Sequence, residues 1–566
     1  MNLLPANPSP ATSAWEHRVV VGIDTGGTFT DAVLMDGAGT VLGTVKEPTT
    51  HDRLEIGIRN AITALLQRTG VPPARIAHVA ISTTLATNAV VEGKGCPVGL
   101  ILVGFPEYVD LPAARVKYVR GGHTIAGDEQ EPLDLEALGE AVADLKGSVE
   151  AYAVCALMSV VNPTHELVAA KAIQLLDPLP VFCSHQTSGQ FGLKERAATT
   201  LFNAGLVPTM TAFLSGVKDA LENLGVGGEL WVVTGDGQAV TAEAAAAAPA
   251  TTVCSGPAAS AVFGASAVSD TAVVVDVGGT TSDISLVAQR APLLGEKGSR
   301  IGSWQTHVRA VESRTTAVGG DSRVVVSPGT AALSHERVLP VALAAHHGDL
   351  AARLADSSSC RGFLPLPHAP TAILQADPAL AFMHRRGGVT FEELRRELAA
   401  DTVTLEAHLK ELKRLRLAVE VGFTLTDVWH VEGRVALGDA SAARPVAEAL
   451  AKIWGRPLPE LTRHLCDLAS RSIELSILDF MMGRELDLDM STFLSRRQRH
   501  RLLEVTLRLK APIVGLGAAA PMLLPEVGSS LGVEVIFPPH YQVGNAVGAA
   551  RLVIAHLPKG DNTVSS

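Results

Sequence analysis

Cysteine is scarce. Six residues, Cys96, Cys155, Cys183, Cys254, Cys360 and Cys466, are scattered over 566 positions with no C-x-x-C pair. That spacing offers no disulfide framework and no paired-thiolate metal site, and free thiols in a reducing compartment are expected. Cys254, beside Ser255-Gly256-Pro257, is the one close to a motif, and no histidine neighbours it in sequence. A basic excess is missing as well: 47 Lys and Arg stand against 58 Asp and Glu, a net charge of −11. This excludes a general affinity for nucleic acid or an anionic membrane, and the short basic cluster Arg496–Arg501 reads as a solvated helix face. Uninterrupted apolar stretches of about 18 residues are absent, so no transmembrane helix is expected despite a mean hydropathy of +0.25. Residues 1–11 lack the basic and apolar regions of a secretory signal; they read as a loose tail, and the protein as cytoplasmic. H-E-x-x-H does not occur, and Gly93-Lys94 lacks the upstream glycine of a Walker A loop, which removes zinc-peptidase and P-loop readings.

What is present is a repeat. Val19-Val20-Val21-Gly22-Ile23-Asp24 leads into Thr25-Gly26-Gly27-Thr28 and then into Phe29-Thr30-Asp31-Ala32-Val33-Leu34, the pattern of strand, tight turn, strand. The same grammar returns at Val274–Leu286. Aligning 23–34 with 275–286 matches Asp24 with Asp276, Gly26-Gly27-Thr28 with Gly278-Gly279-Thr280, Asp31 with Asp283 and Leu34 with Leu286, while Thr30 faces Ser282. A single Gly-Gly-Thr is compatible with a plain hairpin turn; two in register form an internal repeat. Glycines permit positive φ and close approach of backbone N–H groups to an anion. Two such turns can hold a polyphosphate from both sides. Phosphate contacts are then expected from Thr25, Gly26, Gly27, Thr28, Thr30, Gly278, Gly279, Thr280 and Thr281. Asp24 and Asp276 are the candidates for Mg2+ and water orientation, whereas Asp31 and Asp283 brace the turns.

The duplicated pattern resembles the phosphate loops of the actin, Hsp70 and sugar-kinase superfamily, and Gly22–Asp31 in full resembles the opening of the hydantoinase A and 5-oxoprolinase family. Further similar stretches are Thr83–Ala89, Asn162–Glu166, Glu195-Arg196, Asn203-Ala204, Ser255–Ala258, Thr426-Asp427 and Asn545–Ala549, so the resemblance runs along nearly the whole chain. It implies an α/β fold of duplicated actin-like (ribonuclease H-like) ATPase halves around a nucleotide cleft, with a helix-rich insertion. It also implies ATP and Mg2+ as cofactors, a cyclic amide such as 5-oxoproline or a hydantoin as substrate, Glu195 and Arg196 in the active site, and an oligomer. Many relatives work with a hydantoinase B-type second subunit, and nothing in this chain resembles that subunit. The expected reaction is ATP-dependent hydrolysis through phosphorylation of the amide oxygen. The alternatives are an actin-like ATPase that activates a partner enzyme, and a small-molecule kinase.

In chain order the expected segments are a tail over 1–15, a first actin-like domain over 16–195, the first part of a second over 196–334, a helix-rich insertion over 335–510, and the rest of the second domain over 511–566. Asp52 and Glu55 have capping-box spacing ahead of the apolar face Leu54, Ile58, Ala61, Ile62 and Leu65. Thr83, Thr84 and Asn88, at the end of a strand, are substrate candidates or a hydroxyl-capped helix start, and His123 is a further substrate candidate on a turn. Ala151–Val161 reads as one apolar strand, and His165 and Glu166 as the first turn of a helix, where an acidic group favours the dipole. Longer family members typically carry Gly-Ala-Gly-Gly-Gly-Ser where this chain has Ala317-Val318-Gly319-Gly320-Asp321-Ser322, which brings Asp321 forward as a third metal candidate. Asp427 and His430 have metal-pair spacing but equally suit a cap and a core histidine. Gly515-Leu516-Gly517, after a strand, is similar to the adenosine motif of actin-like ATPases.

Overall fold

The structure, a computed structural model, describes residues 18–50, 53–91, 93, 95–106, 108, 111, 115–366, 371–486 and 505–556. The tail, Asp52, Lys94 and the 496–501 cluster lie outside the described residues. The chain divides into two compact units: Met1–Val274 with Ser285–Ser313 and Pro538–Ser566, and Val275–Ile284 with Arg314–Phe537.

The first unit is built on the strand Val19–Thr25, buried along its whole length. β-branched residues on both faces suit a central strand covered on two sides. Across the sheet the order is Val41–Pro48, Phe29–Asp36, Val19–Thr25, Ile76–Thr83, Glu229–Val233 and Ala239–Thr241. The first hairpin is antiparallel, with Asp24 opposite Asp31 and Thr25 opposite Thr30. Val19–Thr25 runs parallel to Ile76–Thr83, which runs parallel to Glu229–Val233. Helix Leu54–Thr69 buries Ile58, Ala61, Ile62 and Leu65 and stops at left-handed Gly70. Its N-cap is Arg53, without a side-chain cap hydrogen bond. Helix Gly544–His556 returns from the end of the chain to Val19–Thr25: a Cβ on Gly22 would stand 2.0 Å from the Ala546 carbonyl oxygen, and one on Gly548 2.1 Å from that of Ala259. Residues without side chains are thus what lets this helix, the helix Ser255–Ala265 and the sheet approach one another.

Also in the first unit, a smaller, fully parallel sheet has the order Arg115–Val119, Val98–Val103, Ala151–Ala156, Val181–Cys183. The apolar run expected to be a strand up to Val161 stops at Ala156, where the chain turns through Met158 at φ 57°. Helix Leu193–Asn223, 31 residues, is long and apolar enough to cross a membrane. Residues 196–206 are all buried within the unit, as in a core helix.

The second hairpin, Ala272–Val277 with Ser282–Ala288, lies in a sheet of order Ala291–Pro292, Ser282–Ala288, Ala272–Val277, Ile513–Leu516, Val535–Ile536. With Ser313–Thr316, which pairs with Ser282–Ala288 off this path, and the first sheet's edge strand Ala239–Thr241 set aside, both sheets counted from the turn-bearing strand read third, second, first, fourth, fifth. The duplication visible in the residues is therefore also a duplication of topology, the order of an actin-like half. The units do not follow the expected ranges. Strands from 229–241 extend the first sheet, placing 196–274 in the first unit, and 538–556 returns to that unit while 505–537 stays in the second. The expected helix-rich insertion is helical at Pro378–Arg386, Phe391–Glu397, Thr402–Arg414, Ala440–Trp454 and Leu458–Leu486. It also holds a four-stranded sheet of Leu339–Pro340, Ala418–Gly422, Arg361–Pro365 and Val389–Thr390.

Candidate functional site

The first turn closes with the Gly26 N–H donating to the Phe29 carbonyl at 3.0 Å. Asp24, 8% exposed, ends the central strand, and its carboxylate is oriented from two elements: Ser82 Oγ donates at 2.6 Å and Asn545 Nδ2 at 3.3 Å. Asn545 is in turn held by the Ser260 hydroxyl. On the returning strand, Thr30 Oγ1 meets Thr49 Oγ1 at 3.2 Å, Thr49 Oγ1 donates to the Gly26 carbonyl at 3.0 Å, and Lys46 pairs with Asp31 at 2.6 Å. Thr25 Oγ1 is buried with no partner among the described residues. Thr83 and Thr84 border this turn: Thr84 N–H donates to the Thr25 carbonyl at 3.4 Å, and Thr83 Oγ1 accepts from the Leu85 N–H at 3.1 Å. Asn88 Nδ2 donates to Thr84 Oγ1 at 3.1 Å. The hydroxyl-capped helix start is thus present, at Leu85–Val91.

The second turn repeats the closure, the Gly278 N–H donating to the Thr281 carbonyl at 2.9 Å. In neither turn is a glycine at positive φ. The expected conformational reason is therefore wrong for these residues; a Cβ on Gly26 or Gly278 would instead stand 3.2 or 3.3 Å from the carbonyl oxygen that closes its own turn. Behind the second turn, Gly320 and Asp321 N–H groups donate to the Gly278 and Gly279 carbonyls at 3.0 and 2.7 Å. The Asp321 carboxylate lies 3.5 Å from Arg337 Nε and accepts from Thr426 Oγ1 at 3.3 Å. Asp321 is engaged as a brace, and an arginine partner opposes the charge a metal would use. Gly517, at φ +85°, would place a Cβ 2.2 Å from the Val277 carbonyl oxygen and 2.9 Å from Asp276 Oδ1. The Gly515-Leu516-Gly517 loop thus lies directly against the strand that carries Asp276. Asp283 is contacted by Thr315 Oγ1 at 2.5 Å. Burial, joined by the charge of Asp276 and opposed by Thr315, pushes it up to about 6.

A third constellation, in the first unit, forms at the carboxyl edge of the small parallel sheet, the usual ligand edge of open α/β sheets. Glu166 is fully buried. One oxygen accepts from the Ala156 N–H at 2.8 Å and from the Ser184 hydroxyl, the other from the His185 N–H at 3.0 Å and from His185 Nδ1 at 2.6 Å. Burial alone would raise its pKa; these donors outweigh it and hold the carboxyl below its ordinary value. Arg196, 2% exposed, donates to the Ala156 carbonyl at 2.6 Å and to Ser184 Oγ at 3.0 Å. It is spent on the scaffold beside Glu166. Glu195, its sequence neighbour, acts on His307, whose pKa burial lowers and Glu195 partly restores. His123 packs on His165 with ring centroids 4.2 Å apart. His185 was missed in sequence, because a lone histidine in a four-residue helix after Cys183 carries no spacing signal. Glu166, Cys183 and His185 have atoms close enough for a metal, yet both Glu166 oxygens are filled, and burial pushes the Cys183 thiol up to about 12, away from the thiolate a metal needs. Asp427 and His430 are not a metal pair. Asp427 caps its own helix and accepts from Val341 and Ala342 N–H groups, and His430 Nε2 accepts from Leu437 and Gly438.

Profiles described as the hydantoinase/oxoprolinase N-terminal region and as hydantoinase/oxoprolinase match residues 20–176 and 196–352. The chain belongs to the hydantoinase/oxoprolinase family. It is 29% identical over 335 residues to caprolactamase subunit alpha of Pseudomonas jessenii, covering 53% of this chain and 48% of that one. To the acetophenone carboxylase gamma subunit of Aromatoleum aromaticum it is 27% identical over 347 residues, covering 53% and 47%. The chain thus spans about half the length of the curated relatives it matches. The nucleotide-free structure of acetone carboxylase superposes with a TM-score of 0.63 at 18% identity, covering 94% of this chain and 70% of that one. The fold is shared.

Within this family member, each turn by itself offers groups of the kind a magnesium nucleotide takes. Thr25 offers a buried hydroxyl that no described residue satisfies. In the second turn the Gly279 and Thr280 N–H groups donate to nothing among the described residues, and Thr280 is exposed. N–H groups and hydroxyls are phosphate donors, and the carboxylates of Asp24 and Asp276 are hard oxygen ligands of the kind Mg2+ takes, directly or through water.

Proposed function

We propose that this chain is the nucleotide-binding component of an ATP-dependent enzyme that activates a cyclic amide for hydrolysis. The observation that carries the reading is the pair of turns with the same glycine-to-carbonyl closure, each following an aspartate on the first strand of an actin-like sheet. Lactams are poor electrophiles because nitrogen donates into the carbonyl; transfer of a phosphoryl group to the carbonyl oxygen removes that protection. Thr25–Thr28, Thr30 and Gly278–Thr281 would hold the phosphates, and Asp24 and Asp276 would be the ligands of Mg2+. Bound Mg2+ would supply charge neutralisation on the transferring phosphoryl group. The chain's own contribution is orientation: Ser82 and Asn545 fix Asp24 before any ligand arrives, so positioning is prepaid. The matched relatives named as subunits support a partner chain, and a hydantoinase B-type subunit is the proposed one.

Phosphate release tests this. With Mg-ATP and the partner subunit, 5-oxoproline, hydantoin or ε-caprolactam should stimulate release. Stimulation by the partner alone would point to an activating ATPase, a stable phosphorylated alcohol to a kinase, and a ketone as best stimulant to the chemistry named in the carboxylase relatives. Calorimetry that detects no Mg-ATP uptake overturns the nucleotide reading.

A further inference from the structure

Resting on the lactam-activation reading, we propose that His185 is the proton acceptor for the substrate's amide N–H, held in its working tautomer by Glu166. The Glu166 carboxyl accepts from three unambiguous donors, the Ala156 and His185 N–H groups and the Ser184 hydroxyl, and is held below its ordinary pKa despite its burial, so it is an anion that can only accept. His185 Nδ1 is therefore the donor, and in the neutral imidazole the lone pair then lies on Nε2. Nε2 has no partner among the described residues, and the side chain is 18% exposed. The neighbouring histidines differ. His165 uses both nitrogens, accepting from the Gly122 N–H at 2.9 Å and reaching Glu129 at 2.9 Å. His123, 2% exposed, holds an unpartnered Nδ1 at the same sheet edge. A carboxylate-oriented imidazole with its far nitrogen open, at the same sheet edge as a buried imidazole nitrogen unpartnered among the described residues, is the arrangement of a general base facing a ligand. Glu166 acts only through His185, as a positioning residue.

The chemistry requires such a base. When the lactam oxygen attacks the terminal phosphorus of a nucleoside triphosphate, the bond from that phosphorus to the bridging oxygen breaks and the diphosphate leaves. The C–O bond becomes single, the C–N bond becomes double, and the N–H proton must depart; it passes to Nε2. A tertiary lactam has no proton to give and cannot complete the step.

The test uses the full chain labelled with 15N-histidine, a non-hydrolysable ATP analogue and Mg2+, with ε-caprolactam against N-methyl-caprolactam. His185 is assigned by the signal lost in His185→Gln. We expect an Nδ1–H tautomer and an Nε2 resonance that moves with ε-caprolactam but not with the N-methyl compound. We also expect His185→Gln to lower lactam-stimulated phosphate release, measured with the partner subunit, by about 100-fold or more while nucleotide affinity stays within about twofold. An Nε2 signal indifferent to the lactam in a chain that binds nucleotide, or a His185→Gln variant that keeps its stimulated release, overturns the role of His185 alone. A wild-type chain that binds no nucleotide overturns the lactam reading and this inference with it.

Discussion

The two turns have the same backbone and different support. In the first, Asp24 is oriented by Ser82 and by Asn545, from a helix more than 500 positions away in sequence, and Asp31 is neutralised by Lys46. In the second, Asp276 is pressed by the Gly517 loop, and Asp283 has the Thr315 hydroxyl where Asp31 has a lysine. What the copies share is the part that touches phosphate in the proposed reading: glycine N–H, carbonyl closure and a preceding carboxylate. The surrounding braces differ, so perturbing equivalent positions separates the chemistry from its scaffold.

The largest effect is expected where the copies agree. Asp24→Asn and Asp276→Asn should each lower stimulated phosphate release by about 100- to 1000-fold, the scale for removing one charge-stabilising group, with melting temperatures close to wild type. A loss confined to one variant would break the functional equivalence of the turns. Next comes Gly517→Ala. Its Cβ would stand 2.2 Å from a backbone oxygen at φ +85°, which should cost about 2–4 kcal/mol and appear as a lower denaturant midpoint before any assay of activity.

A smaller contrast concerns the second aspartates. Asp283 has a folded pKa raised to about 6 from an ordinary value near 3.9. A raised folded pKa stabilises the fold at pH below the ordinary value, and that contribution is lost as pH climbs through about 6. At neutral pH, Asp283 therefore works against stability. Asp283→Asn should stabilise by about 1 kcal/mol at pH 8 and leave stability at pH 4 nearly unchanged. Asp31→Asn should do the reverse at neutral pH, because it strands Lys46, whose side chain is 30% exposed, with a loss of about 0.5–1 kcal/mol. Thermal melts across pH decide both; stabilisation by Asp31→Asn would show that the two braces are alike after all.

Legibility followed locality. The hairpins were readable because β-branched runs, glycines and aspartates lie within a dozen positions, and helix Leu54–Thr69 because its apolar face repeats. The helix 544–556 closing on Gly22, and the strands 229–241 joining the first sheet, depend on contacts hundreds of residues apart that no period announces. Arg196 was expected in the active site, yet its guanidinium is consumed by Ala156 and Ser184. Positive φ is expected at the turn glycines, and none of them has it. His185 left no trace in spacing, since its meaning comes from Glu166, 19 positions earlier and on another element.

The finest test concerns a position where the copies disagree in residue type. Thr25 aligns with Val277, and both are buried. The Val277 methyls need nothing, whereas Thr25 keeps a hydroxyl with no partner among the described residues. A buried unsatisfied hydroxyl costs about 1–3 kcal/mol, and replacing it with an apolar group of the same shape is often neutral or stabilising. Thr25→Val makes the first turn a copy of the second, so the melting temperature should hold or rise. If the hydroxyl is kept for phosphate, Mg-ATP affinity measured by calorimetry should fall about tenfold, close to 1.4 kcal/mol. Unchanged affinity with a higher melting temperature would show that the hydroxyl does not face the nucleotide and that the first turn, like the second, binds through its backbone.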